Sequence, residues 1–537
     1  MRKITFLISF LVFLNYSFSQ NLENKITKFS YESEIYLREL DEFINSSKNK
    51  DLAKVISEFK NNIQTQKFST ACIKQIIDIS NTMLSNRLRV NPHFSYFFNA
   101  INSFSSQENV LNQFSNWLNI SNELLERSTT KRLMHFFVFT ADFLSSGALR
   151  NSRAIKWYCF STDYTFEVSL GHPYINFDKE VKLSCSSQGS TINIYKVKGK
   201  FWPFNYKWEG YSGLIDWQKV GFHQDSVYAI LSDFSIDLRK TEVEIKSATF
   251  YNKHTFNEPI PGSLKHKIDV GGYNKRKSYP YFRSDKKNVI IPNIFRDVDY
   301  KGGYILKGKE FIADGGDYAE ARIILKRNNK PIIIANANRF NIGDNTISSQ
   351  HAAVKVFFDN DSIYHSSLKF KYFDSKRKLE LYSARNGVSK SPFVNTYHQI
   401  TIDCELLEWN IDKELIFFGS LPGTSTSKVE LESIDNYSEE RYRLLQGTDK
   451  VHPLILIRNY MKDKEEELFF VEDFARYAGY PLTQIQHYLT NLSNNGFVYY
   501  DYGEQRIRVL QKTHNYIKAK SEKGDYDVMS FESQINS

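Results

Sequence analysis

Five aspartates and three histidines in the middle of the chain are the side chains with chemistry to offer. Asp216, Asp225, Asp297, Asp299 and Asp314 are candidate acids for glycoside cleavage, which needs two carboxylates about 5 Å or about 6.5–9.5 Å apart. Nearly all of them fall at predicted turns, where aspartate serves local hydrogen bonding. His351, His365 and His398 are spread through strand-like sequence, so spacing alone does not assemble them into a metal site. No GxSxG, HExxH, glycine-rich phosphate loop or EF-hand spacing occurs. Gly302-Gly303-Tyr304 to Gly308 lacks a third glycine in register and reads as a turn between strands. The cysteines Cys72, Cys159, Cys185 and Cys404 form no CxxC pair, which argues against zinc. No catalytic, cofactor-binding or metal-binding residue is assigned.

The densest chemical feature is aromatic. Phe201-Trp202-Pro203-Phe204-Asn205-Tyr206-Lys207-Trp208 is followed by Tyr211 and Trp217. Trp202, Phe204, Tyr206, Trp208, Tyr211 and Trp217 form either a ligand surface or a packing cluster. Rings interleaved with lysine can stack on sugars or line an acyl-chain groove. The same rings can fill a β-core.

The elements that must position these groups follow from periodicity. Met1-Arg2-Lys3, an apolar run from Ile4 to Leu14 and a small-residue stretch to Gln20 make residues 1–20 a secretory signal peptide. The run is shorter than the roughly 20 residues a membrane span needs. Export to the periplasm or outer membrane is therefore expected. In such a compartment Cys159 and Cys185, which share one predicted strand region, form either a bridge or two buried thiols. The chain has 537 residues, 41% of them hydrophobic, with 42 Phe and 33 Tyr. That is enough apolar mass for several cores and favours strands. The net charge of +9, from 70 basic and 61 acidic residues, is a mild bias compatible with solubility or with anionic lipid and glycan.

Residues 21–150 carry apolar positions at spacings of three and four, as in Leu52, Val55, Ile56 and Phe59, and predict five or six helices with a break at Asn91-Pro92 and a cap at Ser106. From about Gly147 the period changes to two. Residues 151–435 read as evenly spaced strands, as in Val354, Val356 and Phe358 or Leu368, Phe370 and Tyr372, with turns such as Asn328-Asn329 and Asp374-Ser375-Lys376. A region this long suits a β-solenoid, an elongated jelly roll or two stacked β-domains. Residues 252–300 break the alternation and read as an insertion or a joint between two halves. Residues 437–520 return to helix, and 521–537 form a tail.

The order helix, strand, helix, turn, helix, hairpin within 437–520, carried by "FFVEDFARYAGYPLTQIQHYLTNLSNNGFVYYDYGEQRIRVL", resembles a winged helix. That resemblance implies a recognition helix at Leu482–Asn494. Between Val471 and Gln505, Arg476 faces Glu472, Asp473, Asp501 and Glu504. One arginine against four carboxylates leaves a net −3, which repels phosphate. Nucleic acid is not an expected partner, and the helix is expected to dock on protein.

The signal peptide ending "SFSQ", with segments such as "DVDYKGGYILKG" and "DSIYHSSLKFKYFDSKRKLELYS", resembles large envelope proteins of the Bacteroidetes type. The alternating strands with Asp, Ser and Lys turns are weakly similar to OstA-like β-jelly rolls of lipopolysaccharide transport. The first resemblance implies an exported envelope protein; the second implies an apolar groove for acyl chains. The leading expectation is a non-enzymatic envelope β-scaffold with helical interaction domains, whose partners are other envelope proteins. The alternatives are a groove that binds or transports lipid or lipopolysaccharide, and a secreted β-helical enzyme acting on polysaccharide.

Overall fold

The computed structural model describes residues 26–534 apart from 46–48, 106–110, 269–277, 316–319, 384–390, 422–427, 447–450, 502–504, 525 and 527–529. Residues 1–20, expected to be a signal peptide, the cap expected at Ser106 and residues 502–504 within the expected hairpin lie outside the described residues. About 32% of the chain is helix and 42% strand, the strands forming a large central antiparallel sheet after an N-terminal helical region. The chain divides into two compact units. One comprises 1–216, 228–248 and 264–275; the other comprises 217–227, 249–263 and 276–537.

The first unit begins with helices Ser33–Asn45, Lys50–Gln64, Thr70–Ser85, Ser95–Ser105, Leu111–Arg127 and Thr130–Ser146. Three of these starts are set by side-chain caps. Asn49 accepts from the backbone N–H groups of Asp51 and Leu52, Ser69 from Cys72 and Thr129 from Arg132, each satisfying an otherwise orphaned donor. Gly147, at φ +67°, ends the last helix in the left-handed region. One face of each helix is apolar, and the buried stripe centres on Trp117. Its ring lies 5.3 Å from Phe104 and 5.6 Å from Phe137, and its Nε1 donates to Thr140 at 3.0 Å. Aromatic contacts carry this core onto the strands, with Phe139 5.4 Å from Phe201 and Phe143 6.1 Å from Phe177.

The strands of this unit pair antiparallel. The register sets Trp157 opposite Cys185, Asn176 opposite Lys200 and Lys200 opposite Glu209. The ladder slips between Lys198 and Gly199, and a Cβ on Gly199 would lie 2.1 Å from the Glu209 carbonyl. Only glycine allows that approach. All four cysteines are thiols. Cys159 faces Leu183 while Cys185 faces Trp157, so the two are offset along the ladder.

In the second unit, period-two sequence becomes strand with alternate burial. Leu379 and Leu381 are buried within Lys378–Tyr382, as are Phe370 and Tyr372 within Asp361–Phe373. Asn328 and Asn329 both take positive φ between Ala321–Arg327 and Lys330–Ala337, the geometry of a two-residue hairpin turn. Residues 252–300 also contain strands, at Ile260–Lys267, Tyr281–Ser284 and Val289–Phe295. The period is hidden there because the inward positions of Ile260–Lys267 include Gly262 and His266. Gly262 is held by packing, since a Cβ would lie 2.2 Å from the Arg283 carbonyl.

Helices Glu439–Gln446, Pro453–Lys464, Val471–Ala478, Leu482–Asn494 and Gln511–Lys520 follow, with a three-stranded sheet ordered Leu468–Phe470, Arg506–Val509, Val498–Asp501. His452 caps Pro453–Lys464 through Nδ1, which accepts from Leu454 N at 3.1 Å. Leu454, Ile457, Val471, Ile485, Leu489 and Ile507 form the buried centre. The strand Lys428–Ser433 also pairs with Ser530–Gln534, so the tail returns to a sheet. No helix among the described residues is long and apolar enough to cross a membrane.

Candidate functional site

The structure splits the aromatic cluster by the pleat. Trp208 points inward, is fully buried and stacks on Phe177 at 5.2 Å. Trp217 belongs to the other unit, where it is fully buried 5.1 Å from Phe250. Neither indole N–H has a hydrogen-bond partner, so both rings serve as apolar mass. Tyr206 and Phe204 meet the last N-terminal helix. Tyr206 Oη lies 2.8 Å from His135 Nε2, and Phe204 sits beneath the Arg132 guanidinium at 5.7 Å. Burial lowers the His135 pKa, which favours the neutral ring at this joint.

Trp202 and Tyr211 lie on the wetter face. Trp202 packs on Tyr174 at 4.8 Å and donates to Glu209 at 2.9 Å. Tyr211 is 49% exposed. Lys207 reaches Glu209 at 2.6 Å and holds its carboxyl below the usual range. The polar atoms around Trp202 are thus engaged with one another.

Three of the five candidate acids sit against lysine or arginine. Asp299 pairs with Lys326 at 2.8 Å and Asp297 with Arg377 at 3.4 Å. Asp314 faces Arg283 at 2.9 Å, Arg339 at 3.8 Å and Lys287 at 3.9 Å. Asp225 lies beside His223, and Asp216 ends the strand Lys207–Asp216. Among the described residues, no group of three or more His, Cys, Asp or Glu side chains could hold a metal ion.

Two of the three histidines share a neighbour. His365 is buried; its Nδ1 accepts from Ser367 N at 3.0 Å and its Nε2 lies 2.6 Å from the Ser391 carbonyl. These partners assign the neutral Nε2–H tautomer, and burial lowers its pKa to about 4. His351 is exposed, with Nδ1 3.5 Å from Ser367 Oγ. His398 lies in the turn after Asn395, and its backbone N–H donates to Asn395 Oδ1 at 3.2 Å.

His351 and Ser367 line a polar cleft of about 280 Å³ that sequence reasoning missed. One wall is the pair Thr346–Phe358 and Asp361–Phe373, whose register slips between Ser349 and Ala352 and again before Val354. Such bulges re-aim side chains. The other wall is the C-terminal sheet, where Tyr499 and Arg508 stand directly opposite each other. Arg508 Nη1 reaches Tyr364 Oη at 3.3 Å, and its Nη2 lies 3.9 Å from Glu320. Of the side chains lining the cleft, only those of Ala337 and Ala353 are aliphatic. The sequence signal is His365-Ser366-Ser367, a polar run that interrupts an alternating strand.

The C-terminal helices are held to the sheet by charge. Glu432 accepts from Arg441 at 2.7 Å and from Lys512 at 3.0 Å. Burial pushes the Glu432 carboxyl up, but Lys512 and Arg441 outweigh it and hold the pKa below the ordinary value.

Comparison with protein-family models, curated proteins and solved structures finds no match to this chain.

Proposed function

We propose that this chain is a non-enzymatic exported protein of the cell envelope, a β-scaffold with helical interaction domains whose partners are other envelope proteins. The observation that carries the reading is the filled interior of the strands. Inward positions hold Trp157, Phe177 and Trp208 in one unit and Tyr300, Tyr304 and Tyr372 in the other, all buried. A groove carrying acyl chains needs an open apolar interior, and these positions are occupied by the protein's own rings. The pairing of Asp297, Asp299 and Asp314 with lysine and arginine, and the place of Asp225 in a turn, favour structural over catalytic roles.

A winged-helix reading of 437–520 is supported by the order of helices and hairpin. Two of its basic side chains, Lys512 and Arg441, are paired with Glu432, and the stretch 471–505 carries one arginine against four carboxylates. This favours a protein-docking module over a nucleic-acid reader.

Native mass spectrometry of the protein purified gently from the envelope tests the proposal. A lipid-free particle carrying other envelope proteins is expected. Stoichiometric lipid or lipopolysaccharide, released only on activation, would overturn the scaffold in favour of a carrier.

A further inference from the structure

We propose that the cleft between the bulged strands and the C-terminal sheet binds a hexuronate, a sugar bearing one carboxylate. The site goes beyond a scaffold role and does not depend on it. Three observations carry it. The first is charge. Asp314 is already neutralised by Arg283 at 2.9 Å, which leaves Arg339, 3.8 Å away and 61% exposed, as a surplus cation at the cleft. Arg508 is oriented by Tyr364 from one side and has only a long contact to Glu320. A guanidinium with donors to spare favours a planar carboxylate, which it can bind through two parallel hydrogen bonds.

The second observation is an orphaned hydroxyl. Ser366 is 4% exposed, lines the cleft, and its Oγ has no hydrogen-bond partner. Buried hydroxyls are nearly always bonded, and an exception calls for an explanation. A sugar hydroxyl would supply the missing bond. The third is the lining chemistry. Asn341 and Gln350 contribute amides that both donate and accept, which suits vicinal hydroxyls better than an apolar ligand. The volume of about 280 Å³ lies near the lower end of the usual ligand-pocket range, a size for one sugar ring rather than an extended chain.

The test is calorimetric titration of the full mature chain with D-glucuronate, D-glucose and acetate. Saturable binding of glucuronate is expected, tighter than for either control. Arg339→Gln, at an exposed position, should weaken glucuronate at least about tenfold, the loss of one charge-assisted contact. Ser366→Ala should leave the thermal midpoint unchanged or raised while weakening glucuronate about threefold or more, a combination that a purely structural serine would not produce. The site is overturned if glucuronate does not saturate, if acetate or glucose binds equally well, or if R339Q with an intact melting curve binds as the parent does.

Discussion

Glu432 and Lys512 stand 80 positions apart and meet at 3.0 Å, joining the strand Lys428–Ser433 to the last described helix. Lys512 is 8% exposed, so its charge is accommodated chiefly by this carboxylate. Removing one member of such a pair leaves the other buried and uncompensated, at a cost of roughly 3 kcal/mol. Glu432→Gln strands both Lys512 and Arg441, whereas Lys512→Met leaves Glu432 with Arg441. E432Q should therefore destabilise the C-terminal helices more than K512M, by roughly 3 kcal/mol against about 1–2 kcal/mol. Urea unfolding followed by protection of 437–520 from proteolysis measures both. Equal effects would mean that Arg441 contributes nothing.

The same carboxylate gives a pH signature. Its folded pKa lies below the ordinary 4.5, so the folded state favours the charged form. That stabilisation is complete above about pH 4.5 and is lost as pH falls through the folded value. E432Q should flatten the acid limb of the stability curve below pH 4.5 while leaving the neutral region parallel to the parent.

His365 governs a different window. Its pKa falls from 6.5 to about 4 because the ring is buried neutral. The unfolded chain takes up a proton that the folded chain refuses, so stability is full above pH 6.5 and declines as pH falls toward 4. The full decline is of order 3 kcal/mol. His365→Gln keeps a donor toward Ser391 and an acceptor toward Ser367, and should abolish this slope. A parent profile that is flat between pH 6.5 and 4 would remove the neutral buried histidine from the account.

Element type is legible wherever a single period dominates. Leu379 and Leu381 announce a strand, and Leu52, Ile56 and Phe59 a helix, because one face of each must leave water. The period fails at Ile260–Lys267, where Gly262 and His266 occupy inward positions. The cleft was illegible for another reason. Arg508 lies 144 positions from Tyr364, and nothing local to either residue marks their meeting. Only Ser366 leaves a trace, a hydroxyl in phase with Leu368, Phe370 and Tyr372, where alternation calls for an apolar side chain. The aspartates were legible as turn residues, but the lysines and arginines that meet Asp297, Asp299 and Asp314 were not, because tertiary structure alone brings them there.

The aromatic cluster separates by substitution. Trp208→Ala empties a fully buried site and should cost about 3–5 kcal/mol. Trp208→Phe should cost less, since the lost indole N–H has no partner to strand. Trp202→Ala, half-buried on the wetter face, should cost about 1 kcal/mol. Gly199→Ala adds the smallest possible side chain, yet its Cβ would lie 2.1 Å from the Glu209 carbonyl, and backbone cannot move aside as a side chain can. A loss of about 3 kcal/mol is expected there. Thermal denaturation of the four variants checks the order; a W202A cost equal to that of W208A would restore the cluster as one packed unit.

The cysteines complete the case for packing over chemistry. Burial pushes the thiols of Cys159, Cys185 and Cys404 up to about 12, and a thiol is reactive only as the thiolate. Cys72 is half-buried on the helix Thr70–Ser85. An aromatic disulfide reagent at pH 8 should therefore find one fast thiol in the native protein and three more only on unfolding. Cys72→Ser should remove the fast phase and leave the slow one intact. The offset of Cys159 from Cys185 along the ladder keeps them unbridged, and their burial limits access for oxidants, so these thiols would survive the export proposed above. Fewer than four reactive thiols in denaturant, restored to four by reductant, would show a bridge and require these strands to shift register.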